Sequence, residues 1–326
     1  MIYLLGFVAG AASVFVFNFW HDSQKIRTIA SDKRLPTQKL ISPLLECAVR
    51  EPDPKDLENP LASFSEEIQN FMNKSQNKST DLKADIYFQD LIGGTAIDVG
   101  DNISLRAGSL LKIPLVMAYF KWSESEPDVL NKKVIFDQKD SLKLYDVQGV
   151  KPSKTLQLGQ SYTIAELMHA AIVYSDNVAA SLLEHYDNRS GLKKVAVDLD
   201  IPVHEGVPPL REPHIKDYAS YFRVLFNAAY LDQNKSNEFL KLLSESEYKD
   251  GLVAGVPTEV LVSHKFGEAT GLNNSDVHFL NDCGIIYLPK RPYLLCISVH
   301  GKDESQMTPL VQKISNLVYK KMEESF

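Results

Sequence analysis

Residues Ser104–Lys121 read SLRAGSLLKIPLVMAYFK. An apolar run at helical spacing (Leu111, Leu115, Met117 and Ala118, with Val116 and Tyr119 between) starts directly behind a serine at position 109. Pro114 falls in the first turn, where a missing backbone N–H costs little. The stretch predicts a buried helix with Ser109 at or just before its N-terminus. Lys112 stands three residues on and shares the face of Ser109. A serine hydroxyl is a weak nucleophile until a base takes its proton. An amine kept neutral by burial is such a base, and the positive end of the helix favours the negative charge that develops. The same Ser-x-x-Lys spacing recurs at Ser75/Lys78, Ser190/Lys193 and Ser246/Lys249, in polar surroundings that read as ordinary surface. The buried helix singles out Ser109.

With 326 residues and 44% hydrophobic content, the chain can build one large domain or two modest ones. A net charge of −7, without a basic patch, argues against nucleic acid as a partner. The eight histidines are scattered without metal-ligand spacing, so no metal or other cofactor is expected. Three cysteines, Cys47, Cys283 and Cys296, form no C-x-x-C. Cys283 and Cys296 lie in two strand-like runs flanking a Pro-Lys-Arg-Pro turn. A cross-strand disulfide fits this placement, but two small buried apolar residues is the favoured reading.

Residues 2–20, IYLLGFVAGAASVFVFNFW, have only Ser13 and Asn18 polar, long enough to span a bilayer with Trp20 at an interface. Ala9-Gly10-Ala11 resembles a cleavage site, but the apolar run continues past it, which favours an uncleaved anchor. The expected organisation is a transmembrane anchor at 1–21, a proline-bearing tether at 22–60 and a catalytic domain at 61–326. Lys25, Arg27, Lys33 and Arg34 follow the span and no cation precedes it, an order that by charge alone would place the domain in the cytoplasm.

Along the domain, Phe64 to Met72 reads as an amphipathic helix, Ala84 to Leu91 as a strand and Ile92-Gly93-Gly94-Thr95 as its turn. Residues 123–160 are polar, with short strand-like pieces such as Val134-Ile135-Phe136, and read as an excursion from the core. Thr163 to Val173 is a helix running straight into Tyr174-Ser175-Asp176-Asn177. Further helices are expected over Val178 to Tyr186, Leu192 to Asp198 and Ile215 to Tyr230. Leu261 to Gly267, Cys283 to Leu288 and Tyr293 to Val299 read as strands, with a terminal helix from Met307 to Met322. Helices flanked at both ends by antiparallel strands indicate an α+β domain whose sheet is assembled from both chain ends.

Three short motifs then fall in order: Ser109-Leu110-Leu111-Lys112, Ser175-Asp176-Asn177 and Lys265-Phe266-Gly267. Ser175 follows Ser109 by 66 residues and Lys265 follows Ser175 by 90. The set resembles the S-x-x-K, S-D-N and K-T-G motifs of class A β-lactamases and penicillin-binding proteins. The helix leading into Ser175-Asp176-Asn177 strengthens the likeness, which covers roughly residues 62–322. The resemblance implies Ser109 as the acylated nucleophile and Lys112 as its proton partner. Ser175 would relay a proton to the leaving nitrogen, and Asn177 would hold Lys112 and the substrate amide. Lys265 would sit beside Ser175 and attract a substrate carboxylate, and the backbone N–H groups of Ser109 and Glu268 would form the oxyanion hole.

Two departures stand out. Phe266 replaces the family's Thr or Ser, removing a hydroxyl that would bind a substrate carboxylate. The long loop that carries the family's water-activating glutamate is mostly missing, and Glu212, 37 residues after Ser175, is its candidate replacement. The implied activity is opening of a β-lactam amide through an acyl-serine. The alternatives are a penicillin-binding-type peptidase acting on D-Ala-D-Ala ends of peptidoglycan stem peptides, or a weakly catalytic penicillin-binding sensor domain. Both substrates lie outside the cytoplasmic membrane, so the expected location is a single-pass membrane protein with its domain outside, against the charge order.

Overall fold

A computed structural model of the chain describes residues 37–43, 64–71, 82–100, 102–137, 139–202, 213–271 and 276–324. The apolar run 2–20 and Glu212 both lie outside these residues, and no helix among the described residues is long and apolar enough to cross a membrane.

The five-stranded sheet has the order β2-β1-β7-β6-β5. Here β1 is Lys83–Asp90, β2 is Ala96–Val99, β5 is Val262–Thr270, β6 is His278–Ile286 and β7 is Tyr293–Gly301. Every neighbouring pair is antiparallel, and β1 from the N-terminal end lies beside β7 from the C-terminal end. The expected assembly from both chain ends holds. A separate small ladder joins β3 (Lys133–Ile135) and β4 (Ser161–Thr163), which closes the 123–160 excursion at its base.

Side-chain alternation along the strands builds two cores, one on each face of the sheet. On β7, Leu294 and Cys296 face one cluster, while Tyr293, Leu295, Ile297 and Val299 face the other. The first cluster packs the sheet against the helices of the middle of the chain. Helix α1 spans 64–71, and α2 is Lys112–Ser125, followed by the short α3, Lys143–Asp146. Next come α4 (Ile164–Val173), α5 (Asn177–Tyr186), α6 (Ser190–Asp198), α7 (Ile215–Phe226) and α8 (Gln233–Ser244). The second cluster lies beneath α1 and the terminal α9, Glu304–Glu324. With both faces covered, every residue of β7 is buried, which is why its sequence is almost uninterrupted hydrophobic.

Two features differ from expectation. Residues 37–43, expected within the tether, pack onto the domain: Ile41 is fully buried, Ser42 N–H donates to the Phe226 carbonyl at 2.6 Å, and Leu40 N–H donates to Asn237 Oδ1 at 3.0 Å. Cys283 and Cys296, direct register partners on β6 and β7, are joined as a disulfide rather than standing as two free apolar residues.

Candidate active site

The nucleophile helix is set by long-range backbone contacts. The buried Asp85 of β1 accepts the N–H groups of Asn102 (2.7 Å) and Ile103 (3.0 Å), and Leu105 N–H donates to the Pro213 carbonyl at 2.7 Å. Asn281 of β6 donates to the Arg106 carbonyl at 2.8 Å. The chain then tightens into a 3₁₀ turn, Gly108–Leu111, that leads into α2 with Pro114 in its first turn. Ser109 sits in that turn. Nine of the helix's residues, Lys112 and Tyr119 among them, are buried, as a helix at the centre of a domain requires.

Ser175 is placed by its own backbone. Helix α4 starts at a capping box in which Thr163 N–H donates to Glu166 Oε2 (2.7 Å) and Glu166 N–H to Thr163 Oγ1 (3.1 Å). It ends after Val173, and Ser175 takes a left-handed conformation with φ 53°. That reversal puts Asp176 at the N-cap of α5, where Oδ1 accepts from Val178 N–H (2.7 Å) and Ala179 N–H (2.9 Å). A non-glycine residue at positive φ is uncommon and strained, so the cap and the packing around it must hold Ser175 there.

Lys112, only 5% exposed, gathers three of the predicted residues: its Nζ lies 2.9 Å from Ser109 Oγ, 3.3 Å from Ser175 Oγ and 2.7 Å from Asn177 Oδ1, and 2.6 Å from the Ser175 carbonyl. Lys265, fully buried on β5, donates to Ser175 Oγ at 2.8 Å and to the Phe266 carbonyl at 2.9 Å. Burial pushes Lys112 down to about 7, partly opposed by the charges of Asp176 and Glu184. Burial, then the neighbouring Lys112, holds Lys265 well below the ordinary lysine range, with Asp282 and Glu268 opposing. Two amines with weakened basicity therefore share one serine hydroxyl.

The protonation of Lys112 decides what this geometry does. The Ser175 carbonyl and Asn177 Oδ1 only accept, so they take the two N–H groups of a neutral amine. In the neutral form the remaining lone pair is left for the Ser109 hydroxyl, whose Oγ lies 2.9 Å from Nζ, whereas the ammonium donates to that oxygen. Among the described residues, none of the hydrogen-bond partners of Lys112 is a carboxylate.

The backbone stretches of Ser109 and Glu268, expected to supply the oxyanion hole, lie side by side. β5 is an edge strand, so every second residue turns its peptide groups outward. A Cβ on Gly108 would collide with the Glu268 carbonyl and lie 3.3 Å from the Glu268 nitrogen. A Cβ on Gly267 would lie 3.0 Å from the Ser109 nitrogen and 2.5 Å from the Ala107 carbonyl. The Glu268 backbone thus faces the nucleophile turn across two glycines.

Several side chains at the site carried no sequence signal. The excursion returns to it: Tyr145 donates to Asp176 Oδ2 at 2.9 Å, and Gln148 donates to the Ser175 carbonyl at 3.0 Å. Burial raises the Tyr145 phenol, keeping it a donor. Behind Lys265, the buried His264 and Asp282 pair at 2.8 Å, and Tyr248 stacks on Phe266 with ring centroids 4.0 Å apart.

Residues 63–322 match the model of the Beta-lactamase enzyme family. The chain belongs to this β-lactamase family. Among solved structures it is similar to PBP-A, at 20% identity and a TM-score of 0.66 over 81% of this chain and 97% of that one. A PBP-A variant captured as an acyl-enzyme complex with penicillin G matches at 19% identity and TM-score 0.67, over 81% and 97%. A class A β-lactamase from Mycobacterium abscessus matches at 20% identity and TM-score 0.64, over 77% and 97%. These likenesses share the fold, and the α+β class expected from the sequence stands with them. Family membership makes the protein a β-lactamase-like serine hydrolase.

Proposed function

We propose that the protein opens a β-lactam amide by acylating Ser109. The observation that carries this is the Lys112 amine 2.9 Å from Ser109 Oγ, with its two N–H groups taken by pure acceptors. As Ser109 Oγ bonds to the carbonyl carbon, its proton passes to Lys112 Nζ. The oxyanion takes hydrogen bonds from the N–H groups of Ser109 and Glu268. When the C–N bond breaks, the nitrogen takes the Ser175 hydroxyl proton, and Ser175 is reprotonated by the lysine ammonium it touches. Asn177 orients Lys112 and receives the substrate amide. Water then cleaves the acyl-serine to an acid and restores Ser109.

The second reading, a penicillin-binding peptidase or sensor of the same acyl-serine chemistry, is supported by the likeness to PBP-A, one variant of which is captured as an acyl-enzyme complex with penicillin G. Glu212 is the residue proposed to activate the releasing water. Its neighbours Pro213 and His214 are fixed to Leu105 and Ile103, by Leu105 N–H to the Pro213 carbonyl at 2.7 Å and His214 Nδ1 to the Ile103 carbonyl at 3.1 Å.

We further propose that residues 2–20 anchor the protein in the membrane and that the folded domain works outside it. The buried disulfide supports export, because such bonds persist in oxidising compartments.

The test is intact mass of the full chain in detergent, incubated for hours with benzylpenicillin or its methyl ester, with Ser109→Ala as control. An adduct on wild type that later disappears fits a hydrolase, and Glu212→Gln should then make it persist. An adduct that persists on wild type selects the second reading. No adduct from either compound sinks both.

A further inference from the structure

Beside the nucleophile, β5 runs Lys265-Phe266-Gly267-Glu268, and the side chains there leave little with which to hold an anion. Lys265 is fully buried, and its N–H groups go to Ser175 Oγ and the Phe266 carbonyl, with the Phe266 ring centroid 4.1 Å from Nζ. These contacts turn the Lys265 amine inward and leave it little to offer an anion in the cleft. Phe266 is itself only 3% exposed and stacks on Tyr248, so an aromatic pair closes over the Lys265 amine.

Phe266 and Glu268 share one face of the strand. The Glu268 side chain leaves that face and crosses the cleft. Its Oε2 accepts Val150 N–H at 2.9 Å, and a Cβ on Gly149 would lie 2.7 Å from Oε2 and 3.0 Å from Oε1. Gln148 of the same loop donates to the Ser175 carbonyl at 3.0 Å. The carboxylate therefore spans from the oxyanion strand to the loop that backs Ser175. Among the described residues it has no ion-pair partner.

We propose that Glu268 sets the charge of the substrate. Its carboxylate holds the ground where a substrate carboxylate would sit beside Lys265, so the enzyme takes acyl donors with an uncharged ester or amide on the β5 side of the scissile bond. The inference rests on Ser109 being the acylated nucleophile. Glu268 is exposed, so its repulsion of a substrate carboxylate is screened by salt, and at low ionic strength it lowers the rate at which an anionic donor docks.

The experiment compares the second-order acylation rates of benzylpenicillin and its methyl ester, read by intact mass on full-length wild type and Glu268→Gln. The glutamine keeps an oxygen for Val150 N–H and removes only the charge. Comparing the ester-to-acid ratio between the two proteins cancels the intrinsic reactivity of the compounds. The expected result is an ester preference of at least tenfold in wild type that falls several-fold in the variant. Raising ionic strength on wild type should speed the acid alone, a readout that stands even if the variant misfolds. An unchanged ratio in a folded Glu268→Gln, or an acid preferred by wild type, overturns the proposal. No Ser109 adduct with either compound overturns the acyl-serine reading and this inference with it.

Discussion

At the scale of single residues, the proposed chemistry depends on one amine losing its proton. Lys112 is lowered from the ordinary lysine value to about 7 because burial disfavours its charge. Below that value Nζ is an ammonium with no lone pair for the Ser109 proton. The acylation rate should therefore rise about tenfold per pH unit up to near 7 and level off above. Rates of adduct formation measured between about pH 5.5 and 8.5 check this, and a flat or falling profile would remove Lys112 as the base. Much of this site was legible in the sequence. Ser109 and Lys112 are local to one helix start, and Ser175-Asp176-Asn177 follows a strongly periodic helix. Tyr145 and Gln148 were not legible, because they reach Asp176 and Ser175 across 31 and 27 residues of a segment with weak periodicity.

At the scale of elements, the fit between β5 and the nucleophile turn decides whether the parts act together. Gly267 is packed against Ala107, Leu110 and Ser109, its missing Cβ falling 2.5 Å, 2.9 Å and 3.0 Å from their backbone atoms. All three contacts are backbone, which cannot swing away. Gly267→Ala should therefore separate β5 from Ser109 while leaving the two cores intact. A misplacement of about 1 Å costs on the order of a hundredfold in rate. The expected outcome is acylation slowed about a hundredfold with a thermal midpoint within a few degrees of wild type, and near-normal acylation would mean the oxyanion pair lies elsewhere. Element boundaries were read with mixed success for identifiable reasons. The helix expected to run to Tyr230 stops at Phe226 because Ala228 turns to φ 48°. Helix α8 gave little signal because its buried stripe rests mainly on Phe239, Leu240 and Leu243 in an otherwise polar run. Among the strands, burial on both faces makes β7 almost continuously apolar and plain in the sequence. Strand β6 starts at His278 rather than the expected Cys283, its first half hidden by the polar His278, Asn281 and Asp282.

At the scale of the whole molecule, two signals disagree about the side on which the proposed membrane anchor would leave the domain. Four cations follow the apolar run at 2–20, the charge order of a domain retained in the cytoplasm. Against this stand the proposed substrates and the bond between Cys283 and Cys296, which ties β6 to β7 in the middle of the sheet. The bond closes a short segment, with the cysteines 13 residues apart, and loops near that length are held more stable by about 3 kcal/mol in the chain-entropy account. A cytoplasmic thiol pool would keep the pair reduced and forgo that contribution. Export therefore predicts a linked outcome in cells stripped of their wall. Protease added outside should remove the domain, and alkylation of the denatured protein should reach Cys47 but neither Cys283 nor Cys296. A protected domain with all three cysteines alkylated would give the decision to the charge order and place the domain inside, leaving Cys283 and Cys296 as two buried apolar residues.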